Sequence, residues 1–178
     1  ARRIDLVLVD APCSSERHFV RGAPGAAWSP SRLKRDATLQ VAILRGALAA
    51  LRVGGRVVYS TCSVSEVEND GVVDALLLGG VHDDDDPPKT KKKRNRTHGH
   101  RLRVDDPLRG LLFEGGPLAG SSSSDLLDGI ERTRHGAIAL PDSSPFGPLY
   151  WAVLVSVDSS SPPDTESVLP EDHGEGSS

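Results

Sequence analysis

Two short apolar runs flank one long helical pattern, and this order constrains the fold more than any other feature of the chain. Residues 4–9 read IDLVLV and residues 56–60 read RVVYS, and both are rich in the β-branched residues that favour strands. Between them, residues 29–51 repeat apolar side chains at helical spacing. A strand–helix–strand unit of this kind predicts two parallel strands joined by a right-handed crossover.

The crossover helix carries start and stop signals in its sequence. Ser29, followed by a proline, is predicted to be its N-cap, and the Gly54–Gly55 pair is predicted to end it. Its buried face is predicted to consist of six apolar residues: Leu33, Leu39, Ile43, Leu44, Ala47 and Leu51.

Two further elements follow the second strand. A second helix is predicted over residues 65–78, where Ser65 and Glu68 form a capping-box pattern. Residues 136–157 predict two strands joined by a turn rich in Pro, Gly and Ser, which would form an antiparallel pair at a sheet edge. The expected fold class is therefore α/β, with a parallel pair of buried strands and an antiparallel hairpin at the end.

Charged residues divide the chain into regions. Residues 1–157 are expected to form one domain, interrupted at residues 80–100 by an acidic stretch, two prolines and a basic stretch. Such charge blocks are typical of solvated or disordered segments, although the basic half could instead hold RNA phosphates. The tail, residues 158–178, is rich in Ser, Pro and acidic residues and is expected to be disordered. The chain contains no methionine, which we interpret as the mark of a piece of a longer protein.

Composition excludes several classes of protein. No segment approaches the roughly 18 apolar residues of a membrane span, so we expect a soluble intracellular protein with no membrane partner. The two cysteines cannot form the disulfide framework of a small secreted domain. They are also too few for a zinc site of their own, and no metal is expected.

Both cysteines directly follow the predicted parallel strands. Cys13 comes after the first strand, close behind Asp10, and Cys62 comes after the second. Open α/β sheets bind ligands at the carboxyl ends of their strands, so the two thiols and the Asp10 carboxylate are expected to share one cleft. A thiol just ahead of a helix start is favoured as the nucleophilic thiolate. The alternative interpretation is that the cysteines are small buried hydrophobes and that Asp10 caps a turn.

These two segments resemble the signature blocks of the Nop/Sun (RsmB-like) family of RNA cytosine-5 methyltransferases. The family's Asp-x-Pro-Cys pattern is present as DAPC at residues 10–13. Its Ser-Thr-Cys-Ser pattern is present as STCS at residues 60–63, followed by Glu68 and Asn69. The resemblance is strong over residues 1–78 and moderate over residues 133–157.

The resemblance implies a fold and a chemistry. The fold would be the carboxyl-terminal half of a Rossmann-like methyltransferase sheet that uses S-adenosylmethionine. Cys62 would attack carbon 6 of cytosine, and Cys13 would help to release the product. Asp10 would contact the cytosine edge and lie beside the S-adenosylmethionine site. The family's glycine-rich cofactor loop is not found in this chain, so the chain by itself is expected to be inactive.

The resemblance also implies partners and a location. Arg17, His18 and the FGPLYW stretch are most similar to the branch that methylates mitochondrial small-subunit ribosomal RNA. The implied partner is therefore RNA, with ribosomal RNA favoured and transfer RNA possible, and the implied location is the mitochondrion.

Two other functions are compatible with the same residues. A non-catalytic RNA-binding or scaffolding fragment would use the basic stretch and would not need Cys62. A thiol redox protein would use both cysteines, but the chain lacks the Cys-x-x-Cys arrangement typical of such proteins.

Overall fold

The structure, a computed structural model, describes residues 4–14, 29–78, 100–108, 129–142 and 147–158. Within these residues the chain forms one mixed sheet of six strands, accompanied by two helices. The strands are β1 (Ile4–Asp10), β2 (Leu51–Thr61), β3 (His100–Asp105), β4 (Ile130–Arg132), β5 (Gly136–Ala139) and β6 (Leu149–Asp158). The helices are α1 (Pro30–Ala50) and α2 (Asp70–Leu77).

Strands β1 and β2 form the parallel pair that the sequence predicts. Their register places Val9 opposite Tyr59 and Asp10 opposite Ser60, so the two strands end side by side. Helix α1 connects them in the chain and packs on the face where Val9 and Tyr59 are buried. The predicted strand–helix–strand unit is confirmed.

Strand β6 lies inside the sheet. It is antiparallel to β2 on one side and to β5 on the other. The predicted antiparallel pairing of β5 with β6 is confirmed, but the predicted position of β6 at a sheet edge is wrong. Tyr150, Ala152 and Leu154 are fully buried on one face of β6, and Val155 is buried on the other. A strand buried on both faces suits the interior of a sheet.

Strand β3 is an element that the sequence analysis does not predict. It pairs with the second half of β6, from Asp105 opposite Val153 to His100 opposite Asp158, beyond the part of β6 that pairs with β5. His100, which the sequence analysis places in the charged insert, is its first residue. The rest of that insert, residues 80–99, and the tail after Asp158 lie outside the described residues.

Helix α1 follows its predicted start, and its predicted buried face is wrong only for Leu39, since the other five predicted residues are buried or packed against the core. Ser29 is the N-cap, and its hydroxyl accepts a hydrogen bond from the backbone nitrogen of Arg32 at 3.2 Å. Leu39 is 48% exposed, whereas Leu44 is fully buried. The buried residues of α1 keep the helical period but include a polar one: Leu33, Gln40, Val41, Leu44 and Leu48.

The Gly54–Gly55 pair does not end helix α1, contrary to the sequence prediction. The helix ends at Ala50, and Leu51 is already extended and begins β2. The glycines lie within β2, where the pairing with β1 shifts register and Gly54 adopts a positive φ of 77°. A left-handed residue of this kind accommodates an irregularity in a strand, and glycine adopts it without steric cost.

Helix α2 begins later than predicted, at Asp70. Residues 66–69 form turns, and Asn69, which precedes the helix, makes no side-chain capping hydrogen bond. The predicted capping box is wrong because the Glu68 carboxylate bonds to Ser14, far away in the sequence, and not to the backbone near Ser65.

Strand β1 is buried on one face only. Leu6 is 61% exposed and Leu8 is 69% exposed, whereas Val9, on the helix-covered face of β1, is buried. The prediction of a strand buried on both faces is therefore wrong for the face of β1 that carries Leu6 and Leu8. In the sheet order β1 occupies one end and β4 the other.

Truncation of the two helix leucines tests this packing. Leu44→Ala is expected to lower the free energy of unfolding by about 2–5 kcal/mol, because it leaves a cavity in the core. The matched change Leu39→Ala removes the same atoms from an exposed position, and we expect an effect within about 0.5 kcal/mol. Urea unfolding of the three proteins measures both values. Equal losses for the two variants would contradict the buried face described above.

Candidate active site

The two cysteine sulfurs lie in contact. Sγ of Cys13 and Sγ of Cys62 are 2.9 Å apart, although 49 residues separate them in sequence. This distance exceeds the roughly 2.05 Å of a disulfide, so the residues are two thiols within hydrogen-bond range. The prediction that both cysteines converge in one site is confirmed.

The backbone of β1 and β2 accounts for this convergence. Because Asp10 pairs with Ser60, the segments that follow the two strands leave the sheet at the same level. The backbone nitrogen of Ala11 then donates to the carbonyl oxygen of Ser60 at 2.9 Å, which extends the ladder one step beyond the strands. Cys13 and Cys62 each come two residues after this last pair of atoms.

The two sulfurs differ in exposure. Cys13 is only 8% exposed, whereas Cys62 is half-buried. A molecule that enters from solvent therefore reaches Cys62 more readily than Cys13.

Asp10 lies on the same segment as Cys13, at the end of β1. Its side chain is exposed, and within the described part of the chain it makes no hydrogen bond or ion pair. The alternative interpretation of Asp10 as a turn cap therefore has no hydrogen bond to support it. An exposed carboxylate at the carboxyl end of a strand is instead open to a ligand.

A buried carboxylate holds the Cys13 segment in place. Glu68, which is fully buried, accepts hydrogen bonds from the backbone nitrogen of Ser14 at 2.8 Å and from its hydroxyl at 2.5 Å. The Gln40 amide donates both to Glu68 at 3.2 Å and to the carbonyl oxygen of Pro12 at 2.9 Å. The residues on either side of Cys13 are thus both tied to this carboxylate, directly or through Gln40.

Asn69 does the same for the Cys62 segment. Its side-chain oxygen accepts from the Thr61 hydroxyl at 2.6 Å, and its side-chain nitrogen donates to the carbonyl oxygen of Ser63 at 3.0 Å. These two partners flank Cys62 in the sequence. One asparagine therefore fixes the backbone on both sides of the half-buried thiol.

The helix terminus does not activate Cys62 in the way the sequence analysis expects. The whole turn of residues 63–69 separates Cys62 from Asp70, the first residue of α2. The contact that the structure gives Cys62 instead is the 2.9 Å sulfur–sulfur pair, in which either sulfur can donate its S–H to the other.

Two tyrosine hydroxyls bind residues of the turn between Cys62 and helix α2 and of the first position of that helix. The Tyr59 hydroxyl donates to the carbonyl oxygen of Glu68 at 2.6 Å, and the Tyr150 hydroxyl donates to the Asp70 carboxylate at 2.8 Å. Burial raises the pKa of Tyr59 well above its usual range, and the charges of Glu68 and Cys13 add to this effect. Burial and the hydrogen bond to Asp70 raise the pKa of Tyr150 likewise. Both hydroxyls therefore remain protonated donors at any physiological pH.

The described residues contain neither a candidate metal site nor a candidate membrane-spanning helix. No group of three or more His, Cys, Asp or Glu side chains among them is placed to hold a metal ion. None of their helices combines the length and apolar character that crossing a membrane requires.

Comparison with known proteins places the chain in a family. The family model for 16S rRNA methyltransferase RsmB/F matches residues 1–103, which is more than half of the chain. The chain therefore belongs to the RsmB/F methyltransferase family. The predicted family membership and the predicted Rossmann-like methyltransferase fold are both confirmed.

Curated relatives are similar to about two fifths of this chain. The mouse mitochondrial tRNA (cytosine(34)-C(5))-methyltransferase is 45% identical over 75 residues, which cover 41% of this chain and 22% of that protein. The bovine 5-cytosine rRNA methyltransferase NSUN4 is 40% identical over 76 residues, covering 41% of this chain and 20% of that protein. Ribosomal RNA small subunit methyltransferase F of Vibrio cholerae is 46% identical over 72 residues, covering 39% of this chain and 15% of that protein. The chain spans about a fifth of the length of these relatives.

Solved structures share the fold. The structure of NSun6 from Pyrococcus horikoshii with SFG matches with a TM-score of 0.50 and 22% identity, covering 85% of this chain and 29% of that one. The structure of PH0851 matches with a TM-score of 0.51 and 21% identity, covering 85% of this chain and 26% of that one.

Sequence reasoning found the two thiols and Asp10 but missed the residues that support them. Ser14 and Gln40 carry no chemical signature of their own. Asn69 was noted only as a member of the family pattern, and Glu68 only for that pattern and for the predicted capping box. A signal was present for Gln40, because it is a polar residue within the apolar stripe of α1.

Mild oxidation tests the sulfur contact. Glutathione disulfide is expected to link Cys13 to Cys62 within one chain, because the sulfurs need only close from 2.9 Å to about 2.05 Å. The two protein thiols lose two electrons and two protons, and the glutathione disulfide is reduced to two glutathione thiols. Intact mass and peptide mapping identify the product. Cys13→Ser and Cys62→Ser serve as controls, because each can form only mixed or intermolecular disulfides. If the unaltered chain also formed only mixed or intermolecular disulfides, that result would contradict the sulfur–sulfur contact.

Proposed function

We propose that this chain supplies the thiol centre of an RNA (cytosine-5)-methyltransferase that uses S-adenosylmethionine. The observation that carries the proposal is the 2.9 Å contact between Cys13 and Cys62, which brings the two family blocks together at the carboxyl ends of β1 and β2. The names of the curated relatives, which act on rRNA or tRNA, support the same class of reaction.

Cytosine needs covalent activation before carbon 5 can accept a methyl group, because that carbon is a weak nucleophile. We assign this step to Cys62, the more accessible of the two sulfurs. Its thiolate forms a bond to carbon 6, and the electron pair of the ring double bond moves to carbon 5, which becomes nucleophilic. After methylation, carbon 5 loses its proton to a base, the carbon–sulfur bond breaks, and Cys62 leaves as a thiolate.

Cys13 is assigned the role of helping Cys62 to leave. Its thiol lies within hydrogen-bond range of the Cys62 sulfur and stabilises negative charge there. Such stabilisation has opposite effects on attack and departure. A more stable thiolate is more abundant but less nucleophilic, so attack changes little, whereas a more stable leaving group departs faster.

S-adenosylmethionine would supply an electrophilic methyl group on a positively charged sulfur. The described residues fit one side of its site. Asp10 presents an exposed carboxylate at the end of β1, with no hydrogen bond or ion pair to another described residue. We assign Asp10 to contacts with the cytosine edge and the adjoining cofactor, where its negative charge favours a positive ligand.

The substrate class follows from the chemistry and the relatives. Carbon 6 of a stacked base is inaccessible to a side chain, so the target cytosine must leave its stack or lie in a single-stranded region. Ribosomal RNA is the substrate that we propose first, with transfer RNA as the alternative. A mitochondrial location is proposed from the name of the mouse relative, and fractionation of the source cells with an antibody to this chain tests it.

Two substitutions test the mechanism in the full product of the gene that encodes this chain. Cys62→Ser is expected to lower methyl transfer to RNA by at least about 1,000-fold, because a hydroxyl does not replace the thiolate. Cys13→Ala is expected to accumulate a covalent protein–RNA adduct, because attack proceeds while departure is slowed. Tritium transfer from labelled S-adenosylmethionine measures the first effect, and denaturing gel mobility measures the second.

The control is Glu66→Gln, which changes an exposed side chain that pairs with Arg134 and leaves the thiols unchanged. Methyl transfer that survives in Cys62→Ser would overturn the assignment of the nucleophile. RNA containing 5-azacytidine separates the competing functions. A methyltransferase forms a lasting covalent bond to this RNA through Cys62. An RNA-binding fragment binds the RNA reversibly, and a redox protein does not bind it.

A further inference from the structure

Glu68 occupies an unusual position for a carboxylate. It is fully buried, and within the described part of the chain it has no ion pair with an arginine, lysine or histidine. Its partners are neutral donors from Ser14 and Gln40. Burying a carboxylate is costly unless hydrogen bonds compensate for the lost water. If packing were the only role of this position, an apolar side chain would fill it at a lower cost in free energy.

The contacts of Glu68 lead to the cysteines from two directions. Its side chain holds Ser14 directly and, through the shared Gln40 amide, the carbonyl oxygen of Pro12, so both neighbours of Cys13 are fixed. Its backbone carbonyl accepts from Tyr59 of β2, the strand that ends directly before Cys62. The next residue, Asn69, binds the two neighbours of Cys62. The pair of residues 68 and 69 therefore connects the two thiol-bearing segments.

We propose that Glu68 is the positioning residue that holds Cys13 against Cys62 and so sets the sulfur–sulfur contact. The catalytic part of this proposal rests on the proposed methyltransferase function, whereas the geometric part does not. Without the carboxylate, Ser14 loses both of its hydrogen bonds to Glu68, and Gln40, which binds the carbonyl oxygen of Pro12, loses the contact that holds its amide. Cys13 then samples positions farther from Cys62.

The thiol–disulfide equilibrium of the chain measures this contact without RNA or S-adenosylmethionine. The reduced chain and one glutathione disulfide convert to the Cys13–Cys62 disulfide and two glutathione thiols, and the equilibrium constant is the effective concentration of one thiol at the other. Glu68→Ala is expected to lower this effective concentration by about 100-fold in the folded chain, since a misplacement of about 1 Å can cost that much. Circular dichroism and thermal unfolding confirm that the molecules compared are folded.

Two conservative variants are expected to change the effective concentration by smaller amounts. They also test the proposal if Glu68→Ala does not fold. Glu68→Gln keeps the shape and the Oε1 acceptor, and its amide nitrogen can donate to the Ser14 hydroxyl, so it is expected to rescue most of the effective concentration. Ser14→Ala removes only the hydroxyl bond of 2.5 Å, and we expect a fall of about 10-fold, as for one hydrogen bond to a charged group. The matched control Glu66→Gln, an exposed glutamate of the same turn, is expected to leave the value unchanged.

The outcomes separate positioning from simple stabilisation. A stabilising role alone lowers the melting temperature but leaves the effective concentration of the folded molecules unchanged in Ser14→Ala and Glu68→Ala, and this result would falsify the proposal. In the full gene product, Ser14→Ala is expected to lower kcat by about 10-fold while KM for RNA stays nearly constant. An active Cys62→Ser enzyme would instead overturn the proposed mechanism and leave the thiol measurement intact.

Discussion

The parallel pairing of β1 with β2 is the constraint on which the thiol site depends. Burial of Val9 and Tyr59 on the helix-covered face fixes the register, because a slip of either strand by one residue would turn its own side chain to the opposite face. The same register aligns Asp10 with Ser60, and the ladder bond from Ala11 to Ser60 carries the alignment past the strand ends. The buried residues Val9 and Tyr59 thus set where the two sulfurs meet.

Beyond the ends of β1 and β2, backbone groups form hydrogen bonds with side chains instead of with a neighbouring strand. The segments that carry Cys13 and Cys62 have left the regular sheet, and their polar backbone groups need partners if they are buried. Glu68 and Asn69 provide those partners, one for each segment. A fully satisfied buried network of this kind is rigid, since each member loses a hydrogen bond if it moves and cannot recover it from water.

How far the sequence could predict the structure depends on whether the decisive contact is local. Strands β1, β2, β5 and β6, the N-cap at Ser29 and the shared end of β1 and β2 follow from periodicity and topology, and all of them are observed. The prediction of a capping box at Ser65 and Glu68 failed because the Glu68 carboxylate binds Ser14 instead. Ser14 and Glu68 are 54 residues apart in sequence, and no local rule detects such a contact. Strand β3 was missed for a different reason. Leu102 and Val104 alternate with charged residues as a half-buried strand requires, but the adjoining charged run obscured the pattern.

The unequal surroundings of the two thiols fit unequal roles. Cys13 is buried beside Ser14, whose backbone nitrogen and hydroxyl bind the Glu68 carboxylate. Cys62 is nearer to solvent and lies within hydrogen-bond range of the Cys13 sulfur. This difference supports the proposed assignment of the accessible Cys62 as the nucleophile and of the buried Cys13 as the residue that assists its departure.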